Sequence, residues 1–430
     1  MSILRVTGLS LSLRIIQFFF DFGRNIVLLS VLAVEAFGLL SLLNVFVNST
    51  KYVDLGFRQR YKVGVYANEI DKPHRAAIFQ AIVAVEMLLS ICLVGLVLSY
   101  TEFFGIELPI GSDLVLLVVG VLFSARLYRL TLIFLEAEKA FVKAALLEAI
   151  TSLVFLVSVF VFRNNSEVLL FLFATQLAAY LLTILFIGRS WWSKQLNYGW
   201  LITNARDSLL VGLATFLNGI SFYADRLILL TYFSLRDVGL YAALLFGQNI
   251  NQTLANYMVK PLGSEIISFI AIGNKLDKKL LTVSYGLFLI PPLTVLFLNA
   301  PINWLAEVML ASYLPKYLGL AQVANLLALL CALFPALSLS GLVVLEPSMK
   351  AYRLFSASQL IPLCFLLGLF AIFQNHAEIL VILLTATFLG TLCKILLFSF
   401  IIGKNIGLTG LEAKLASYAI CMIGALGMIV

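Results

Sequence analysis

"FYADRLILLTYFSLRDVGLYA", residues 222–242, begins as an apolar helix and is then interrupted by the adjacent Asp225 and Arg226. A charge at the centre of a membrane-spanning helix costs about 2.5–3.5 kcal/mol on insertion scales. Two in succession must neutralise each other, sit near an interface or face water inside the protein. Whether the stretch spans at all is decided by the rest of the chain. Of its 430 residues, 62% are hydrophobic and 12% are charged; a soluble domain is nearer about 25% charged. A soluble fold of this size has no way to hide so much apolar surface. The fold class is therefore an all-α polytopic membrane protein.

A span needs about 20 apolar residues. Such segments are predicted near 12–34, 36–55, 76–100, 113–135, 144–162, 168–188, 208–231, 239–260, 280–299, 319–345, 357–374 and 377–402, with a short apolar thirteenth at 415–430. The first lacks a small-residue cleavage site and carries Arg14, Asp21 and Arg24, so no cleavable signal peptide is expected. Of the 29 lysines and arginines, only Arg163, Arg236 and Lys316 fall in outer loops when the N-terminus is placed inside. Seven fall within spans and all the others in inner segments, which fixes a cytoplasmic N-terminus by the positive-inside rule.

The opening stretch has a counterpart. Aligning Arg24 with Arg226 sets "RNIVLLSVLAVEAFGLLS" against "RLILLTYFSLRDVGLYA", so that Glu35 meets Asp237 and, with one gap, Gly38 meets Gly239. The same order of features recurs about half the chain apart. The economical architecture is two six-helix lobes, 1–200 and 201–402, related by a pseudo-two-fold repeat, followed by a terminal segment 403–430. Internal repeats flanking a central site are common in secondary transporters.

Helical geometry groups the polar residues of the spans into stripes. Span 1 aligns Arg14, Gln17, Asp21 and Arg24; span 2 aligns Asn44, Asn48 and Lys51; span 8 aligns Gln248, Gln252, Asn256 and Lys260. Span 7 adds Asn218, Asp225 and Arg226. Any one of these residues has a plain structural reading, since Asn and Gln join membrane helices by hydrogen bonds worth about 0.6 kcal/mol and Asp21 sits one turn from Arg24. Together they suggest a hydrated cavity. Basic residues in spans (Arg14, Arg24, Lys51, Arg126, Arg129, Arg226, Lys394) exceed the clear acids Asp21, Glu86 and Asp225. A cationic cavity in low dielectric suits an anion, above all phosphate, which arginine binds through paired hydrogen bonds. Arg126 and Arg129 share a face at i, i+3 and either extend this site or snorkel and pair with Glu136. Asp225 and Arg226 point about 100° apart, one expected to face the cavity and the other to brace or gate it.

Other chemistry finds no support. Cys92, Cys331, Cys364, Cys393 and Cys421 lie scattered in apolar segments, and His74 and His376 lie far apart, so no metal site and no cofactor are expected. There is no P-loop and no HExxH. A membrane polymerase or ligase is the alternative from a different class; such an enzyme carries its chemistry in a sizeable outer loop, and the outer loops here are short.

Four stretches resemble one family. "YADRLILLTYFSLRDVGLYA" is similar to the helix 7–8 junction of polysaccharide flippases, with Ala224-Asp225-Arg226 ahead of an apolar run and then Gly239, Tyr241 and Ala243. "LAVEAFGLLSL" (32–42) resembles their helix 1–2 junction with Val34 in place of a proline. "DLGFRQRY" (54–61) and "EAEKAFVKAALLE" (136–148) resemble the segments after helices 2 and 4. The chain thus resembles Wzx-type O-antigen flippases, the polysaccharide branch of the superfamily that includes lipid II flippases and MATE exporters.

That resemblance implies a transporter in a bacterial inner membrane, not an enzyme. It implies cargo of undecaprenyl-pyrophosphate-linked repeat units flipped from inner to outer leaflet by alternating access with ion-gradient coupling. The lipid bilayer, an O-antigen polymerase and a chain-length regulator are its expected partners, with no nucleic acid. Arg14, Arg24, Lys51, Arg126, Arg129 and Lys260 are expected to bind phosphate. Gln17, Asn44, Asn48, Gln248, Gln252 and Asn256 are expected to contact sugar, and Asp21, Glu86, Asp225 and Arg226 to gate or couple protons. A lipid II flippase or a MATE-like small-molecule exporter is the alternative within transporters.

Overall fold

The computed structural model describes residues 3–49, 55–103 apart from 67, 111–163, 167–187, 195–232, 234–245, 299–324, 349–373 and 379–406, with single positions at 193, 326 and 328. Every regular element among them is helical. In chain order these are α1 (Ile3–Val31), α2 (Val34–Ser49), α3 (Phe57–Tyr66), α4 (Lys72–Phe103), α5 (Ser112–Ala137), α6 (Phe141–Phe162), α7 (Val168–Ile187) and α8 (Tyr198–Tyr232). They are followed by α9 (235–245), α10 (Asn299–Tyr313), a 3-10 segment (Pro315–Val323), α11 (Met349–Phe373) and α12 (Ile379–Ile406). Stretches Lys72–Gly95, Asp113–Ala137, Phe141–Phe162 and Val168–Leu185 are long and apolar enough to cross a membrane. The protein is a multi-pass membrane protein of all-helical fold. The expected spans at 280–299 and 415–430, most of 239–260 and of 319–345, and Lys51, Gln248, Gln252, Asn256 and Lys260 lie outside the described residues.

Two elements depart from the expected layout. Residues 57–66, which lie between the expected spans 36–55 and 76–100, form α3. That helix is amphipathic: Phe57, Tyr61 and Val65 are buried with Phe79 and Ile82 of α4 and Leu130 and Phe134 of α5. The rings of Tyr61, Phe79 and Phe134 are linked at 5.3 and 5.0 Å. Burial in this cluster raises the pKa of the Tyr61 hydroxyl. Residues 299–313, expected as loop, form α10; Asn299–Leu314 contains a single charge, Glu307, and a run of apolar residues at helical spacing.

The chain forms two compact units. The N-terminal unit comprises Met1–Val31 and Leu40–Gly219; the C-terminal unit comprises Leu32–Leu39 and Ile220–Val430. The division therefore falls at 219/220, well inside α8, rather than in its first turn at 200/201, because α8 is one continuous helix with each end packed in a different unit. The corner between α1 and α2 likewise belongs to the C-terminal unit although it comes early in the chain.

Two close backbone approaches fix these elements. In the N-terminal unit Gly56 has φ +76°, and a Cβ there would lie 2.0 Å from the Ser208 carbonyl of α8, so only glycine fits. In the C-terminal unit a Cβ on Gly38 would lie 2.2 Å from Leu235 O, and one on Gly239 would lie 2.1 Å from Val34 O. The glycines aligned in the repeat thus pack backbone to backbone. Lys316 donates to the Leu32 carbonyl, one of the acceptors left open where α1 ends. Beside it Tyr317 is buried, and burial together with Glu35 pushes its hydroxyl up to about 12.

Candidate functional site

The charged residues of the N-terminal unit fall into two sets. In the first, every charge is matched. Arg14, fully buried on α1, donates to Glu148 of α6 at 2.6 Å and to Glu136 of α5 at 3.2 Å. Arg126 of α5 lies 2.9 Å from one oxygen of Glu86, and Arg58 of α3 lies 2.9 Å from the other. Glu86 and Arg126 are each 1% exposed. Such groups bear a desolvation penalty of several kcal/mol per ion that their partners must offset. Arg14 and Arg126, offered to phosphate on sequence grounds, are here committed to carboxylates. Glu86 is clamped between two arginines, and Gln17 is buried. Glu136 pairs with Arg14 rather than with Arg126 or Arg129.

The second set is only partly matched. Arg24 lies 3.6 Å from Asp21, one turn earlier on α1, and both side chains are partly exposed. Its guanidinium sits 5.8 Å from the centroid of the Phe155 ring of α6, and its buried Nε has no acceptor among the described residues. Arg129 of α5 donates to the Asn48 side-chain oxygen of α2 and has no carboxylate in ion-pair range among the described residues. Tyr180 of α7 lies within electrostatic reach of Arg129, Arg24 and Asp21 together. Its ring packs on Tyr128 at 4.8 Å and on Phe155 at 5.5 Å.

Five helices therefore bring two arginines, one aspartate, one asparagine and an aromatic wall into one cluster. The close packing of α1 with α6 and of α5 with α7 sets it up. A guanidinium over a ring keeps its charge while its apolar faces are covered. The surplus cation and its free donors suit an anion that accepts several hydrogen bonds. Asn44 lies on the same helix as Asn48 and is half-buried. Sequence periodicity singled out Arg24, Arg129 and Asn48. It missed Tyr128, Phe155 and Tyr180, which look like ordinary core residues, and Glu148, whose partner is 134 residues away.

In the C-terminal unit Asp225 and Arg226 are both buried, each 6% exposed. The Asp225 carboxylate accepts from the Tyr241 hydroxyl of α9 at 2.7 Å and from the Arg226 backbone N–H at 2.7 Å. The Arg226 guanidinium sits 5.5 Å from the Tyr223 ring centroid. No group of histidine, cysteine, aspartate and glutamate among the described residues could hold a metal ion.

No family model matches the chain, and no curated protein matches it either. Solved structures do. A MATE in its bent conformation is 14% identical, with 96% of each chain covered and a TM-score of 0.68. The outward-facing conformation of a multidrug resistance MATE transporter of the MOP superfamily is 13% identical, covering 94% of this chain and 95% of that one, with a TM-score of 0.69. A mutant of the Vibrio cholerae MATE transporter VcmN is 15% identical, covering 95% and 97%, with a TM-score of 0.64. Over nearly its whole length, the chain has the fold of the MATE transporters.

Proposed function

We propose that the protein is a transporter, not an enzyme. On this reading it flips polyprenyl-pyrophosphate-linked saccharide units, of the O-antigen kind, across a bacterial inner membrane by alternating access. The observation that carries this reading is the Arg24–Arg129 cluster: two arginines, offset among the described residues by Asp21, against aromatic rings and an asparagine. Arg24 and Arg129 bind the pyrophosphate oxygens, and Asn48 and the Tyr180 hydroxyl engage phosphate or the first sugar. Arg14 and Arg126 hold the helices that carry them. No covalent bond is made or broken.

The test replaces Arg24 by Ala or Lys, and Arg129 by Ala, in a flippase-null strain scored for surface polysaccharide. Each alanine should lower export about 10- to 100-fold at normal protein level, the loss of charge-assisted hydrogen bonds of about 1.5–3 kcal/mol. Arg24→Lys should retain part of the activity. Full export by both alanine variants overturns the reading.

A MATE-like small-molecule exporter is the second reading, favoured by the multidrug resistance MATE transporter among the structural neighbours. A cationic drug needs surplus acid, and this cluster has surplus base. Resistance to cationic dyes conferred by the wild type and lost in Asp21→Asn would favour the exporter.

A further inference from the structure

The end of the N-terminal unit that carries α3 holds more positive charge than its own acids take up. Arg58 goes to Glu86, Arg60 to Glu69 at 2.7 Å and Arg75 to Glu138 at 3.2 Å. Lys62 stands 3.8 Å from Glu136, which also serves Arg14. Lys139 and Lys143 are exposed and have no carboxylate in ion-pair range among the described residues. Lys62 and Lys139 nevertheless converge: their ammonium groups lie 5.7 and 6.0 Å from the centroid of one ring, that of Tyr66. Tyr66 is buried, and its hydroxyl donates to the Glu136 carbonyl at 2.9 Å, so the ring is a fixed platform. Lys139 also has φ +58°, a left-handed conformation that side-chain-bearing residues other than Asn and Asp seldom adopt.

Two ammonium groups held within 6.0 Å of one ring centroid place like charges near each other, with a third lysine four residues beyond Lys139. A polyvalent anion that these lysines reach offsets that repulsion. Lys139 and Lys143 sit where α5 ends and α6 begins, at the edge of two segments apolar enough to cross the membrane, and Lys62 of α3 stands beside Glu136 at the same end of α5. That is the level of lipid phosphates, and the lysine and arginine distribution assigns it to the inner leaflet. We propose that Lys62, Lys139 and Lys143 form a binding site for a lipid-borne phosphate at the inner membrane surface, built on the Tyr66 ring. The same chemistry would come from a resident anionic phospholipid or from the pyrophosphate head of the cargo.

The experiment uses the full chain in detergent, as wild type and as Lys139→Asn/Lys143→Gln. Asparagine tolerates the left-handed backbone, and Lys143 is exposed, so the fold should survive; an unchanged melting temperature confirms it. Retention of phosphatidylglycerol against phosphatidylcholine is read by native mass spectrometry, and binding of inorganic pyrophosphate is titrated separately. Lysines near an anionic surface are each worth about fivefold, so the double variant should lose phosphatidylglycerol about 25-fold. Loss of pyrophosphate binding alone would uphold the phosphate site and assign it to the cargo head. Retention of both ligands by the variant overturns the proposal, as does an equal loss in Lys72→Gln, which removes another exposed charge at this end. Arg24→Ala should keep phosphatidylglycerol, so failure here is separable from failure of the transport reading.

Discussion

The two aspartate–arginine pairs of the repeat differ in one respect that matters. In the N-terminal unit Asp21 and Arg24 are one helical turn apart, partly exposed and loosely paired at 3.6 Å. In the C-terminal unit Asp225 and Arg226 are adjacent and buried, with the carboxylate held by Tyr241 and by backbone. Adjacency forbids the face-to-face pairing that i, i+3 spacing allows, so Asp225 takes its donors from elsewhere. A loose, half-wet pair leaves its arginine available to a ligand. A locked pair ties α8 to α9 and has little left to offer. The same residue types thus read as a site in one unit and as a brace in the other.

Locked charges should register in stability, open ones in binding. The largest effect is expected at Glu86→Ala, which leaves Arg58 and Arg126 without their shared carboxylate. Breaking a buried pair this way should cost about 3–5 kcal/mol, seen as a lowered thermal midpoint in detergent. A midpoint that does not move would mean that water reaches Glu86. Tyr241→Phe comes next. It removes one donor to a buried carboxylate and should cost about 1–3 kcal/mol with pyrophosphate binding unaltered; a change in binding instead would erase the distinction between site and brace. The smallest effect belongs to Asp21→Asn. Freeing Arg24 from a partly exposed partner worth about 0.2–1 kcal/mol should tighten pyrophosphate binding by up to about fivefold. Weaker binding would show that Asp21 orients the arginine rather than competing for it.

Much of this was legible in the sequence. Composition and apolar runs give the helical membrane fold, and α4 to α7 lie within a few residues of their expected places. The alignment that paired Gly38 with Gly239 found two residues that touch. What periodicity lacks is the partner. Arg14 and Arg24 share a stripe on one helix, and nothing in α1 itself says that Glu136 and Glu148 will claim the first and leave the second. Charge hid α3, because its arginines and lysine outweigh the few apolar positions that it buries. The aromatic wall of the site was hidden for the opposite reason: in a chain this rich in phenylalanine and tyrosine, three more rings carry no signal until they are seen around a guanidinium.

The Gly38–Gly239 contact also bears on the order in which the protein is made. Leu32–Leu39 leaves the ribosome about two hundred residues before Leu235–Gly239 can receive it. Until then the carbonyls at the end of α1 lack Lys316, and the corner has no seat. Closing so long a loop is a late and slow event. The N-terminal unit can pack its core before then, but the turn that joins its first two helices stays unfinished until much of the second half has been synthesised. A larger side chain at either glycine would block that last step while leaving the earlier ones intact.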